Sequence, residues 1–476
     1  MARMLVLLLV FSVGAFAAPD SQRPNIILMV ADDHGREAFG AYGNEAIRTP
    51  HLDKLASEGL RFNHAYATTA SCSASRSVLL TGLHNHANGQ YGHEHSYHHF
   101  STFESVRSLP VRLSEVGYVT AQVGKFHLGP REVYRFDQFL KVKPDPTLGR
   151  EERNSVGMAK AAQALIESAG DQPFFLYLAT NDPHRAHLTN SLGDNTFGNA
   201  ADDEGQGLAR LDYKAEDVIV PDYLPDIPEA RRELAEYYQS VGRVDETMGE
   251  LVRMLKAAGQ YENTVIIYLS DNGTAMPGAK TTLYDPGVRL PLVIKPAGNY
   301  SQAGGATEAM VSWPDITPTI LSLAGVQVPG DEFHGRDISP VLKAPNKTAG
   351  FDEVYGSHTF HELTMYYPMR SVRTRDFKLI WNIAAGLRYP FASDLYVSST
   401  WQGTTERELV RFGKRTVDAY LHRQPFELYD MRGDGSEAIN LAEHPDYQHI
   451  KQALIEKIRQ FQQQTSDPWQ YKWEYE

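Results

Sequence analysis

Five short, largely apolar runs set the first constraint on this chain: Asn25 to Ala31, Val119 to Val123, Phe174 to Ala179, Val265 to Leu269 and Leu292 to Ile294. Each has the length and composition of a buried parallel strand rather than of a helix. Between them lie helix-periodic stretches, Pro50 to Leu60, Leu109 to Val116 and the long Glu229 to Ala258. In the last, Leu234, Tyr238, Val241, Met248, Leu251 and Leu255 recur at about helical spacing. Strands alternating with helices predict an α/β fold, a sheet covered by helices on both faces. Two polar stretches rich in Gly, Asp and Pro, from about Lys143 to Gly157 and from Leu188 to Asp226, read as long loops over the sheet edge.

The composition changes after Leu342, and Lys343-Ala344-Pro345-Asn346-Lys347 reads as a boundary. Beyond it come the β-like runs Arg370 to Val372, Phe377 to Trp381 and Phe426 to Tyr429, then a helical pattern from about Tyr447 to Gln464. These predict a smaller C-terminal α+β domain. The expected division is 1–17, 18–345 and 346–476.

Residues 1–17 have a different character. Arg3 precedes the apolar run Met4 to Phe11, and Ala15-Phe16-Ala17 has the form of an A-x-A cleavage site. This predicts a secretory signal peptide, too short to span a bilayer. No later segment reaches about 18 unbroken apolar residues, so no membrane span is expected. Cys72 is the only cysteine in 476 residues. An exported chain with one cysteine forms no internal disulfide and must hold its fold by core burial. The expected location is secreted or periplasmic. A net charge of −13 argues against general binding to nucleic acid or anionic membranes. An anionic substrate would therefore need a local positive site.

Four of the expected strands run directly into unusual polar residues. The first ends in Asp32-Asp33-His34-Gly35, the second in Gly124-Lys125-Phe126-His127 and the third in Asn181-Asp182-Pro183-His184-Arg185. The fourth ends in Asp271-Asn272-Gly273. Singly, these are helix caps or turn signals as readily as functional groups. Ligands in open α/β sheets bind beyond the carboxyl ends of the strands, so the four tips are expected to share one crevice. Asp32, Asp33, Asp271 and the Asn272 amide oxygen would form a hard-oxygen set suited to Ca²⁺ or Mg²⁺. His127, His184 and Lys125 add proton-transfer groups and positive charge.

Cys72 lies in Ser71-Cys72-Ser73-Ala74-Ser75-Arg76, a loop turning into a helix. A thiol at a helix N-terminus beside an arginine is expected to favour its anionic form, with a buried inert cysteine as the alternative. A Cys-His hydrolase would leave Asp32, Asp33, Asp271 and Asn272 unexplained. The region Leu83 to Phe100 holds His84, His86, His93, His95, His98 and His99. Without cysteines or clear ligand spacing, it reads as a substrate-pocket loop in preference to a zinc cluster. His361 and Glu362 are placed to reach over the pocket from the second domain. Their context is not an H-E-x-x-H zinc motif, because the second histidine is absent.

Cys72-Ser73-Ala74-Ser75-Arg76 followed by Leu79-Leu80-Thr81-Gly82 resembles the C-x-P/A-S-R…L-T-G motif of the type I sulfatases. The strand-tip motifs match in the same order. Within that family the resemblance is nearest to the sulfamidase (N-sulfoglucosamine sulfohydrolase) branch. It rests on Gly40-Ala41-Tyr42, Val106 to Pro110, Asp182 to Arg185, Tyr366 to Val372 and Asp467-Pro468-Trp469. Ala74 stands where proline is commoner, and His93 to Tyr97 departs from that branch.

The resemblance implies an alkaline-phosphatase-like mixed sheet sandwiched by helices, and an exported enzyme removing sulfate from a sulfated glycan. It implies a formylglycine made from Cys72 by a maturation enzyme, and Ca²⁺ (or Mg²⁺) held by Asp32, Asp33, Asp271, Asn272 and residue 72. Arg76 would stabilise the nucleophile, Lys125 and Lys280 would clamp sulfate, His184 would protonate the leaving group and His127 would accept a proton. Arg185, His95, His98, His361 and Glu362 would contact the substrate. The bond cleaved stays open between an N-sulfate and an O-sulfate ester of another polysaccharide such as an algal glycan. A phosphonate or phosphate monoester hydrolase and a non-catalytic glycan binder remain alternatives.

Overall fold

The computed structural model describes residues 23–142, 153–168, 172–186, 196–199, 212–298 and 304–475. The expected signal peptide lies outside the described residues, as do 143–152 and much of 187–211 within the two long loops. Eight strands form the main sheet: β1 (Asn25–Ala31), β2 (Leu60–Tyr66), β3 (Val119–Gly124), β4 (Gln138–Phe139), β5 (Phe174–Ala179), β6 (Thr264–Ser270), β7 (Leu292–Lys295) and β8 (Gly305–Ser312). Their spatial order is β4-β3-β5-β1-β6-β7-β2-β8.

The expected α/β architecture is present, but not every strand is parallel. β3, β5, β1 and β6 pair in parallel, whereas β7 runs antiparallel to both β6 and β2. That corrects the reading of Leu292 to Ile294 as a parallel strand. The chain between Ser270 and Leu292 holds loops and only a four-residue helix, Asp285–Val288, so no long crossover carries it back to the starting edge. The helix expected over Pro50 to Leu60 is shorter at its end. Helix α1 (Pro50–Glu58) stops at Gly59, where an added Cβ would lie 2.7 Å from the Ile294 carbonyl oxygen, and Leu60 already pairs with Ile294. The loop expected up to Gly157 gives way earlier, to a helix over Ser155–Ala161.

β1 shows why the sheet is covered on both sides. Ile26, Leu28 and Val30 pack with Val78, Leu79, Leu109, Ile316 and Ile320 on one face. Ile27, Met29 and Ala31 pack with Leu52, Leu55, Val244, Met248 and Leu251 on the other. Side chains alternate with period two along the strand, so a strand apolar on every residue needs helices on both faces. The long helix Pro228–Ala257 and α1 supply one layer, and α2 (Cys72–Thr81) with helices Leu109–Glu115 and Ile316–Leu323 supplies the other.

A second, antiparallel sheet follows, built from β9 (Glu353–His358), β10 (Met369–Thr374), β11 (Phe377–Asn382) and, after the short pair β12 (Arg411–Phe412) and β13 (Arg415–Thr416), β14 (Phe426–Asp430). Its order is β14-β11-β10-β9. The helix Gln448–Gln464 covers it through Leu454, Ile455 and Ile458 against Val372, Leu379 and Leu428. One apolar cluster runs unbroken between the sheets, from Tyr66, Leu234 and Tyr237 to Met369, Ile380 and Tyr429. The smaller sheet is thereby fixed against the crevice side of the larger one.

Candidate active site

Because β3, β5, β1 and β6 are parallel neighbours, their carboxyl ends open on one edge, and everything that follows each strand meets there. Backbone hydrogen bonds draw the tips together. The Asp32 amide donates to the Asp182 carbonyl (3.1 Å), Asp271 to Ala31 (3.1 Å) and Lys125 to Ala179 (2.8 Å). The turn out of β3 needs glycine: Gly124 has φ +83°, and a Cβ there would sit 2.0 Å from the Ala179 carbonyl oxygen.

Helix α2 delivers Cys72 and Arg76 from above, one turn apart on the same face. Cys72 Sγ lies 3.8 Å from Asp33 Oδ1. Arg76 is fully buried; its Nε donates to Asp271 Oδ2 at 2.9 Å, and its Nη2 forms an ion pair with the same oxygen at 2.8 Å. Lys125 Nζ donates to Asp32 Oδ2 at 2.5 Å, and Lys280 Nζ to Asp33 Oδ2 at 2.9 Å. The Lys280 ammonium also lies 3.0 Å from His184 Nε2. The His184 ring is oriented by a 2.6 Å contact of Nδ1 with the Arg185 carbonyl, so Nδ1 carries the proton in the neutral ring and Nε2 faces the crevice.

These charges set one another's protonation. Burial raises the Asp32 carboxyl, but Lys125 foremost, with Arg76 and Lys280, outweighs it and holds Asp32 well below the usual carboxylate range. Burial pushes Asp33 and Asp271 upward, with Lys280 and Arg76 respectively only partly opposing it. For Cys72 the surroundings favour the neutral thiol, the buried alternative of the two readings. Burial drives it well above its ordinary value, Lys125 and Lys280 oppose this only in part, and Asp32 and Asp271 add to it. A helix N-terminus cannot compensate for loss of water beside two carboxylates.

The donor set fits a divalent cation. One ligand atom each from Asp32, Asp33, Cys72 and Asp271 falls within 4.8 Å of the others. Asp32 Oδ1 and Asn272 Oδ1 are buried without a hydrogen-bond partner. Unmet buried acceptors are costly in a folded protein, and a hard cation is the group that satisfies oxygen acceptors among clustered carboxylates.

The residues expected to contact substrate divide. His95 Nδ1 touches His127 Nε2 at the crevice. His361 reaches the N-cap of α2, its Nδ1 3.0 Å from Ser71 Oγ. His98 Nδ1 instead accepts from the Leu363 amide at 3.0 Å and pins that loop. Glu362 Oε1 accepts from the Ser393 amide (2.9 Å) and hydroxyl (2.7 Å). The guanidinium of Arg185 is committed to Glu233, at 2.7 and 3.2 Å, and stacks over Phe197. A residue missed in the sequence is Asp394. Its Oδ2 accepts from Lys280 Nζ at 3.1 Å and lies 4.0 Å from His184 Nε2. Nothing in Ala392-Ser393-Asp394 signals this, because only the tertiary fold brings the segment to the β6 tip.

Residues 24–326 match the sulfatase family model, and residues 279–389 match that of the N-sulphoglucosamine sulphohydrolase C-terminal region. The chain belongs to the sulfatase family. It is 38% identical over 467 residues to N-sulphoglucosamine sulphohydrolase from Homo sapiens, an alignment covering 94% of this chain and 91% of that protein. It is 28% identical over 443 residues to an ulvan-active sulfatase of Formosa agariphila, covering 92% and 80%. A solved structure in complex with its substrate D-glucosamine-2-N,6-O-disulfate superimposes with TM-score 0.67 at 22% identity, covering 94% of this chain and 99% of that one. A phosphonate monoester hydrolase of Agrobacterium radiobacter superimposes with TM-score 0.66 at 19% identity, covering 93% and 96%. The fold is thus the alkaline-phosphatase-like one of the sulfatases, and the chain is a sulfate or sulfamate hydrolase. Among the described residues, no helix is long and apolar enough to cross a membrane.

Proposed function

We propose that this sulfatase is an exported enzyme that removes sulfate from a sulfated glycan, with N-sulfoglucosamine as its substrate class. The observation that carries the reading is a relative of that activity aligned over nearly the whole chain, together with the convergence of Cys72, Arg76, Lys125, His127, His184 and Lys280 on one crevice. Export is supported by the sequence of residues 1–17. The division at 345/346 is supported by the main sheet ending at Ser312 and the second beginning at Glu353.

Asp32, Asp33, Asp271 and Asn272 are assigned to Ca²⁺, with residue 72 completing the shell. When present, the cation and a formylglycine made from Cys72 supply charge neutralisation and a hydrated-aldehyde oxygen able to attack sulfur. The chain's own residues do the rest. Arg76 holds positive charge beside position 72. Lys125 and Lys280 bind the sulfate oxygens, their ammonium groups kept charged by Asp32 and Asp33 despite burial.

Burial and the Lys280 ammonium push His184 down to about 3 in the free site. A sulfate oxygen engaging Lys280 relieves that repulsion. His184 Nε2 can then carry the proton that the departing nitrogen or oxygen takes up. Burial and Lys125 hold His127 neutral, the form required of a proton acceptor.

Sulfate release from matched N-sulfated, 6-O-sulfated and ulvan oligosaccharides tests the substrate. Activity confined to the N-sulfate supports the assignment. Preference for ulvan would move the chain to the second reading, an O-sulfate hydrolase, which the Formosa relatives favour. Turnover of aryl phosphate above aryl sulfate would overturn both. Mass analysis of the Cys72 peptide from native expression tests the nucleophile, and a bare thiol with full activity would refute it.

A further inference from the structure

The crevice holds a second donor set, of different chemistry from the oxygen cluster. His93 and His95 come from the histidine-rich loop and His127 from the β3 tip, and one ring nitrogen of each lies within 4.8 Å of the other two. The rings are mutual neighbours, with centroids 4.9 Å apart for His93–His95, 4.9 Å for His93–His127 and 4.5 Å for His95–His127. His95 Nδ1 and His127 Nε2 are in direct contact.

His93 uses its other nitrogen elsewhere. Its Nε2 meets His361 Nε2 at 3.0 Å, and His361 is in turn tied to Ser71 Oγ at 3.0 Å. That leaves His93 Nδ1 buried with no hydrogen-bond partner. A histidine oriented through one ring nitrogen, with the other left free beside further imidazoles, has the arrangement of a metal ligand and its supporting shell.

We propose that His93, His95 and His127 form a site for a borderline divalent transition metal, with Zn²⁺ the best match, distinct from the Asp32-Asp33-Asp271 oxygen cluster. Three neutral imidazoles suit Zn²⁺, whereas Ca²⁺ takes oxygen ligands. Burial and neighbouring cations keep all three rings neutral, which is the ligating form. Lys125, the leading cation against His95 and His127, is itself paired with Asp32 at 2.5 Å, which softens its repulsion of a metal. The spacing was invisible in sequence because His127 comes from a different strand tip, 32 residues beyond His95. A metal there occupies the lone pair that the proposed reaction needs on His127, so Zn²⁺ is expected to inhibit. That consequence alone rests on the proposed function.

The test is zinc binding to the intact, calcium-saturated protein, read by metal analysis after desalting and by the visible spectrum of Co²⁺ put in place of zinc. Tight zinc retention with a four-coordinate Co²⁺ spectrum is expected. His93→Ala and the exposed-site change His95→Ala should each weaken zinc at least about tenfold. Asp271→Asn and Asp394→Asn, which address the other two donor sets, should leave it unchanged. Zinc retained equally by both histidine variants, lost with Asp271→Asn or Asp394→Asn, or never retained would overturn the site. Zinc binding together with no sulfate release from any substrate by the zinc-free, calcium-loaded protein would keep the site and reject the proposed function. Sulfate release without zinc binding would do the reverse.

Discussion

Two buried charge clusters in this molecule solve opposite problems. Between the second sheet and the C-terminal tail, Arg370 and Asp467 are both fully buried and both fully used. Asp467 Oδ2 accepts from Arg370 Nε (2.5 Å) and Gln462 Nε2 (2.9 Å), and Oδ1 accepts from Arg370 Nη2 (2.8 Å) and the Trp469 amide (3.0 Å). Arg370 Nη1 donates to the His358 and Met369 carbonyls. At the strand tips, Asp32, Asp33 and Asp271 are likewise paired with Lys125, Lys280 and Arg76, yet Asp32 Oδ1 and Asn272 Oδ1 have no hydrogen-bond partner. A closed cluster holds the fold, whereas an open one is built for a ligand.

The sharpest way to break that contrast is at Cys72. Cys72→Ala should lower sulfate release by on the order of 10⁴-fold or more, as removal of a nucleophile does, while unfolding stability shifts by less than about 1.5 kcal/mol. Equal loss of stability and activity would show the open cluster to be structural after all.

Asp467→Asn should do the opposite. Leaving Arg370 buried beside a neutral amide should cost about 3–5 kcal/mol in urea unfolding, with the rate per folded molecule retained. Burial raises the Asp467 carboxyl, but Arg370 more than offsets this and depresses it. Its contribution is therefore complete above the unfolded carboxyl value of about 3.9 and is lost as pH falls below it. Wild-type stability should accordingly fall from pH 5 towards pH 2 more steeply than that of Asp467→Asn.

Ca²⁺ at a hundredfold excess over its dissociation constant should stabilise the wild type by about 2.7 kcal/mol, and Asp271→Asn should abolish that gain. The smallest effect is expected at Asp394, which touches the site only through Lys280 and His184. Asp394→Asn should lower kcat roughly 10- to 100-fold, the usual scale for a group that acts only by orienting the residues that touch substrate, with little change in Tm. An unchanged kcat would place Asp394 outside the working site.

Much of this was legible in the chain. The β1, β5 and β6 runs are almost wholly apolar because both faces of those strands are covered, β3 is interrupted only by Thr120 and Gln122, and each run ends where its polar tip begins. β2 and β8 are not legible as apolar runs because half-buried Arg61, Asn63 and His64 interrupt the first and exposed positions such as Glu308 interrupt the second. The Tyr366-to-Val372 and Asp467-Pro468-Trp469 strings supported the family resemblance, yet in the structure they meet in the Arg370–Asp467 pair and lie in the frame, not the crevice. Arg185, expected from the resemblance to contact substrate, is held by Glu233 on the long helix.

Periodicity and local chemistry determined the α/β class, the helix carrying Cys72 and the residue types at each strand tip, since those depend on neighbours close in sequence. The tertiary structure alone decided the reversal of β7, the arrival of Asp394 and the meeting of His127 with His93 and His95. Each depends on distances between segments far apart in the chain, and those distances follow from how the sheet edge and the second sheet pack together.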